Sequence, residues 1–169
     1  GDSIWSIALQ YNLDPETIIE HNNLYKPFTI FPGQKLYLDN SSISKAVISS
    51  EQILVWHSPI NTNKKPVSQG SYWLMYETDK GKPISSIQEG RVVIAGPDIP
   101  GYGNLVMISH PNGFLSLYAH CKDIFVKKGD VISRGEIIAN VGSSEVSSPM
   151  LRFQLRKNGS PVKTSGIKF

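Results

Sequence analysis

Short stretches of alternating apolar and polar residues, each closed by glycine or proline, fill the chain from Ile53 onward. "ISSIQEG", "RVVIAGP", "NLVMISHPNG", "FLSLYAHC", "GDVISRGEIIANVG" and "MLRFQLRKNG" follow one another, with turns roughly every 8–12 residues, a spacing that antiparallel sheets use. Period-2 alternation suits a strand, whose successive side chains point to opposite faces, and not a helix. In "HPNGF", Asn112-Gly113 predicts a type I′ hairpin, because both residues tolerate positive φ. With 40% hydrophobic residues, 14 Gly and 11 Pro, the chain is globular and turn-rich and not disordered. No apolar run approaches the roughly 18 residues that span a bilayer, and no signal peptide is visible.

The first 38 residues read differently. Ile4, Trp5, Ile7, Ala8 and Tyr11 recur at helical spacing, with Asp2 or Ser3 able to cap. Asp14 then stands as N-cap and Pro15 as the first residue of a second helix that runs to about His21 or Asn22. "FPGQ" predicts a type II bend with Pro32 and Gly33 at its centre, and "KLYL" a short strand. Trp5, Ile7 and Ile18 are assigned to the core of this unit. Residues 39–52, "DNSSISKAVISSEQ", are serine-rich without a clear period and read as a linker. The organisation expected is therefore α+β: a small module over 1–38, a linker over 39–52, and a mostly antiparallel β domain over 53–169.

The formal charge of +3 is unevenly spread: residues 1–39 sum to −3 and residues 40–169 to +6. The second part favours an acidic partner, or is simply a solvated surface. Its basic residues are scattered without stacking aromatics, which argues against nucleic acid. One cysteine, Cys121, excludes an intrachain disulfide and reads as a small buried residue beside a strand end. No serine sits in a nucleophile elbow, and His120 and Cys121, as neighbours on a strand, face opposite ways.

"GDSIWSIA", "YNLDPETIIEHNNL" and "IFPGQKLYL" together resemble a LysM module. The resemblance implies a βααβ fold whose first strand would precede Gly1, so the chain reads as trimmed. It also implies binding of N-acetylglucosamine-containing glycan, with a groove formed by Gly1, Asp2 and Ser3 and by Tyr25, Lys26, Pro27, Phe28, Thr29, Ile30 and Phe31.

"GKPISSIQEGRVV", "GYGNLVMISHPNGFLSLYAH", "VKKGDVISRGEIIANVG" and "LRFQLRKNGSPV" resemble the LytM, or lysostaphin-type, zinc endopeptidases, in the family's order. Active members hold zinc through a His and an Asp four residues apart and the second His of a late HxH. Carried onto this chain, those ligands fall on Ser71, Met75 and Arg152. The first His of HxH falls on Met150, and only the "YAH" histidine survives, as His120. Serine ligates zinc poorly, a thioether is soft and neutral, and a guanidinium is a permanent cation, so these residues do not suit a zinc site. His21 lies in the LysM part, and neither His57 nor His110 has a partner at ligand spacing.

A LysM module ahead of a LytM domain stripped of its ligands resembles the NlpD-type proteins, relatives of EnvC. That resemblance implies a periplasmic protein without a cofactor, with a lipid anchor as an outer-membrane lipoprotein of a Gram-negative bacterium. Its partners would be peptidoglycan glycan strands and a periplasmic N-acetylmuramoyl-L-alanine amidase, which it would activate for septal peptidoglycan splitting. The amidase would be gripped by the former active-site cleft: Ser71, Met75, His120, Met150 and Arg152. Two other classes stay open, a zinc endopeptidase with a rearranged site and a plain wall-binding module.

Overall fold

The computed structural model describes residues 4–11, 13, 15–25, 28–38, 56–97 and 99–169. The expected linker lies outside them.

Helix α1 (Ile4–Tyr11) buries Ile4 and Ala8 on one face against Leu13, Ile18 and Ile19, with Ile7 half-buried at the margin. Helix α2 (Pro15–His21) begins on the proline, as its missing N–H and fixed φ allow. Two expectations fail here. Tyr11, placed on the apolar stripe, is half exposed at the end of α1. "KLYL" forms no strand: no described strand lies beside it, and its backbone polar groups are met by a side chain instead. Tyr37 N–H donates to Asn22 Oδ1 (2.6 Å) and Asn22 Nδ2 donates back to Tyr37 O (2.8 Å). The "FPGQ" bend is present, with Gly33 at φ +82° and Gln34 N–H donating to Phe31 O (3.0 Å).

From Trp56 onward the described residues are mostly β structure: β1 (Val67–Gln69), β2 (Trp73–Glu77), β3 (Pro83–Ser85), β4 (Gly90–Gly96), β5 (Leu105–His110), β6 (Phe114–Ala119), β7 (Cys121–Ile124), β8 (Val131–Ile132), β9 (Ile137–Val141), β10 (Met150–Lys157) and β11 (Ser160–Pro161). The large sheet runs β1-β2-β10-β6-β5-β4-β8, with β11 on β10. The small sheet runs β3-β9-β7, and every recorded pairing is antiparallel.

Strands β5 and β6 are apolar on both faces, and the structure explains why: the large sheet is covered on both sides. One face carries Val106, Ile108, Tyr118, Leu151, Phe153 and Leu155 and packs on the small sheet through Ile84, Ile138, Ala139 and Val141. The other face carries Leu105, Met107, Leu115, Leu117 and Ala119 and is covered in part by Ile99, Trp73 and Tyr102. The predicted hairpin is a type I′ turn. Asn112 (φ 61°, ψ 28°) and Gly113 (φ 73°) both take positive φ, and Phe114 N–H donates to Pro111 O.

Buried polar groups are tied together across this core. His110 Nδ1 lies 2.7 Å from Glu89 O, so it carries the proton and Nε2 is an acceptor. Ser116 Oγ stands 2.7 Å from Nε2 and 3.1 Å from the Tyr118 hydroxyl, which accepts from Ile87 N–H at 2.9 Å. Burial lowers the His110 pKa to about 4.

The two units touch. Gly159, in the β10–β11 turn, is buried, and a Cβ there would run into the backbone of Gln10 near the end of α1.

Candidate functional site

Side chains of β2 and β10 alternate between the two faces of the large sheet. Leu74, Tyr76, Leu151, Phe153 and Leu155 enter the main core. Trp73, Met75, Met150, Arg152, Gln154 and Arg156 therefore share the opposite face. The antiparallel register sets Arg152 directly across from Met75 on one side and from Ala119 on the other, and Met150 across from Glu77. One residue past Ala119 comes His120. The structure thus gathers Met75, His120, Met150 and Arg152, which the sequence had assigned to one cleft.

Ser71 does not join them. It sits exposed in the turn between β1 and β2, beyond Trp73, and its carbonyl accepts from Thr164 N–H (2.9 Å). Pairing of β1 with β2 forms a hairpin that leaves Ser71 in its turn and Met75 on its second strand.

Arg152 defines the electrostatics of the site. Its guanidinium carbon lies 4.2 Å from the centroid of the Trp73 ring. Trp73 in turn leans on Tyr102, with centroids 5.8 Å apart. Arg152 Nε is buried without a hydrogen-bond partner, and so is Nε of Arg156 two positions along the same face. Arg156 is otherwise held by Gln154 Oε1 (3.0 Å) and Gly159 O (2.6 Å). Among the described residues neither arginine meets a carboxylate; the ion pair present joins Lys122 to Asp123. A cation stacked on an aromatic face and short of acceptors is poised to receive an anionic group.

His120 is fixed from three directions. Its N–H donates to Tyr102 O (3.0 Å), its carbonyl accepts from Gly142 N–H (3.1 Å), and Nδ1 donates to Ser144 O (2.7 Å). These contacts hold it at φ 65°, a left-handed conformation that non-glycine residues keep only when surroundings impose it. Burial lowers its pKa, and the positive charge of Arg152 adds to the effect. With Nδ1 donating to Ser144 O, Nε2 of the neutral ring is the acceptor.

Sequence reasoning missed the frame around these residues. Glu145 Oε2 accepts from Gly101 N–H (2.9 Å) and Gly103 N–H (3.3 Å), and Ser144 Oγ accepts from Asn104 N–H (2.9 Å). The loop before β10 is thereby clamped to the loop that carries Tyr102. Strand parity places Trp73 beside Met75 and would have found it. No local pattern pairs Glu145 with glycines more than 40 residues away.

Of the proposed glycan groove, Gly1, Asp2, Ser3, Lys26 and Pro27 lie outside the described residues. Tyr25 and Phe31 are exposed (83% and 69%), Thr29 is exposed, and Phe28 and Ile30 are half-buried against the helical core. Ile30 and Phe31 line a cavity of 420 Å³ together with Leu36 and Ile7, which the sequence had placed in the core.

The side chains gathered at the cleft do not fit zinc. They offer two thioethers, one guanidinium and one imidazole, and among the described residues no three His, Cys, Asp or Glu side chains come together as metal ligands.

Comparisons with known proteins agree with this geometry. Residues 70–164 match Peptidase family M23 and residues 1–39 match the LysM domain. Lipoprotein YgeR of Escherichia coli is 26% identical over 96% of this chain and 76% of its own length. Murein hydrolase activator NlpD of Escherichia coli is 41% identical over 83 residues, 49% of this chain and 22% of its own. Csd3 of Helicobacter pylori superposes with a TM-score of 0.58 at 32% identity, over 68% of this chain and 33% of that one. The chain therefore spans a minor part of the activator and of Csd3. The antiparallel sheets with their β2–β10 cleft, and the helical pair ahead of them, make this chain a member of peptidase family M23 that carries an N-terminal LysM domain.

Proposed function

We propose that this protein activates a periplasmic N-acetylmuramoyl-L-alanine amidase without itself hydrolysing bonds, while its LysM domain holds peptidoglycan glycan. The observation that carries the reading is the Arg152–Trp73 stack: a fixed cation is set across from Met75 and beside His120, on the residue to which the family resemblance carries a metal ligand. It is supported by the likeness to a protein named murein hydrolase activator and by the absence, among the described residues, of a ligand cluster. Relatives named as lipoproteins support an envelope location. The working boundaries are 1–38 for the glycan-binding module, 39–52 for the linker and 53–169 for the activator domain.

The cleft contributes binding and no chemistry. Met75 and Met150 offer adaptable apolar contact, Arg152 forks onto a carboxylate, and His120 Nε2 accepts a backbone N–H. Activation requires that the cleft bind the open amidase more tightly than the occluded one. Dye-labelled sacculi test this with amidase alone, this protein alone, and both. Release from the mixture only is expected. Release by this protein alone would mean an endopeptidase, and no gain from mixing would leave a wall-binding module.

A further inference from the structure

A second groove, of 520 Å³, lies on the other side of the main core from Arg152, between the 57–63 segment and the small sheet. Its walls are fixed by backbone bonds: His57 N–H donates to Ile87 O (2.8 Å), Ser85 N–H donates to Pro59 O (2.9 Å), and Ile60 bridges to Ile84. We propose that this groove binds a short peptide that ends in a free carboxylate.

The lining supplies the complement of such a ligand. Asn61 and Asn63 line the groove, and among the described residues no hydrogen bond holds either side-chain amide. Each offers both a donor and an acceptor, the pair a peptide bond needs. His57 Nδ1 donates to Ser58 O (2.7 Å), which leaves Nε2 as a further acceptor for a ligand N–H. Ile137, half exposed, and Pro83 form an apolar surface suited to small side chains such as methyls. Lys82 completes the set. It makes no ion pair among the described residues, and its ammonium is a compact charge available to a terminal carboxylate. A sugar would use the amides but leave the lysine without purpose. An uncharged apolar molecule would leave both amides unpaired.

The test is a titration of the isotope-labelled full chain, followed by backbone amide NMR, with N-acetyl-D-alanyl-D-alanine, its L,L isomer, the corresponding carboxamide, and N-acetylglucosamine. At least one free acid is expected to shift residues 57–63, 82–85 and 137. The carboxamide should bind about ten-fold more weakly, and Lys82→Gln should reduce binding of the acid by a similar factor. Acid and carboxamide binding equally, N-acetylglucosamine alone shifting these residues, or no shift there at millimolar acid would each overturn the proposal. It does not rest on the activator reading: Lys82→Gln should leave amidase activation intact, so the two can fail separately.

Discussion

Arg152 reaches diagonally from β10 to β2 and lays its guanidinium 4.2 Å from the centroid of Trp73. A cation–π contact of this kind contributes about 0.5–2 kcal/mol, more as it is desolvated, and it fixes the plane in which the guanidinium meets a partner. Charge alone should therefore not suffice. Arg152→Lys keeps the cation and loses the planar fork, and we expect most amidase activation to disappear with folding unchanged. Trp73→Ala should weaken amidase binding by about ten-fold, read by calorimetry. Activation that survives Arg152→Glu would remove this contact from the mechanism.

His110 makes stability depend on pH. Its folded pKa is about 4 against an ordinary 6.5, so the unfolded chain takes up the proton first. The stability tied to the neutral ring is complete above pH 6.5, falls as pH drops from there, and is gone below pH 4. The loss amounts to roughly 3 kcal/mol. Protonating Nε2 would turn an acceptor into a second donor facing Ser116 Oγ, and the chain of bonds to Tyr118 and Ile87 would have to reverse or break. Urea denaturation of wild type at pH 7 and pH 5 should show a fall that His110→Gln lacks. Parallel falls in both would assign the effect to carboxylates.

How much of this was legible beforehand depended on the range of each interaction. The strands, the Asn112-Gly113 turn and the proline start of α2 are short-range facts, written in alternation and turn chemistry. The convergence of Met75 with Arg152 was readable only through a family resemblance, because residues so far apart in the chain carry no local sign of pairing. Ser71 falls in the β1–β2 turn and not on the strand with Met75, because spacing from a motif says where a residue falls in the chain, not which element carries it. The "KLYL" strand failed for a related reason: β propensity needs a neighbouring strand, and the Asn22 amide took its place. The clamp of Glu145 on Gly101 and Gly103 left no pattern at all.

Cys121 should be chemically silent in the folded protein. The thiol is fully buried, contacts Tyr118 O at 3.3 Å, and burial pushes its pKa up to about 12. Nucleophilic attack needs thiolate and access, and the fold withholds both. Iodoacetamide at pH 8 should therefore modify the native chain only as fast as it opens, with the rate rising in step with urea. Rapid labelling without denaturant would show that the β7 end of the small sheet opens locally.

Gly159 tests whether the two units are seated on each other. Its φ of +79° already disfavours any side chain, and a Cβ would meet the Gln10 backbone as well. Gly129 separates the two effects: its φ is +93°, but nothing lies within 4 Å of where a Cβ would stand. Gly129→Ala should cost only backbone strain, about 1 kcal/mol, and leave α1 undisturbed. Gly159→Ala should cost a similar amount in the β domain and also push α1 away. Hydrogen exchange resolves the second effect, because amides of Ile4–Tyr11 should exchange faster in Gly159→Ala than in Gly129→Ala. The helix gains protection from the β10–β11 turn only if it packs there. Equal exchange in the two variants would mean that the LysM helices ride free of the β domain, and that the cleft and the proposed glycan groove are joined by the chain alone.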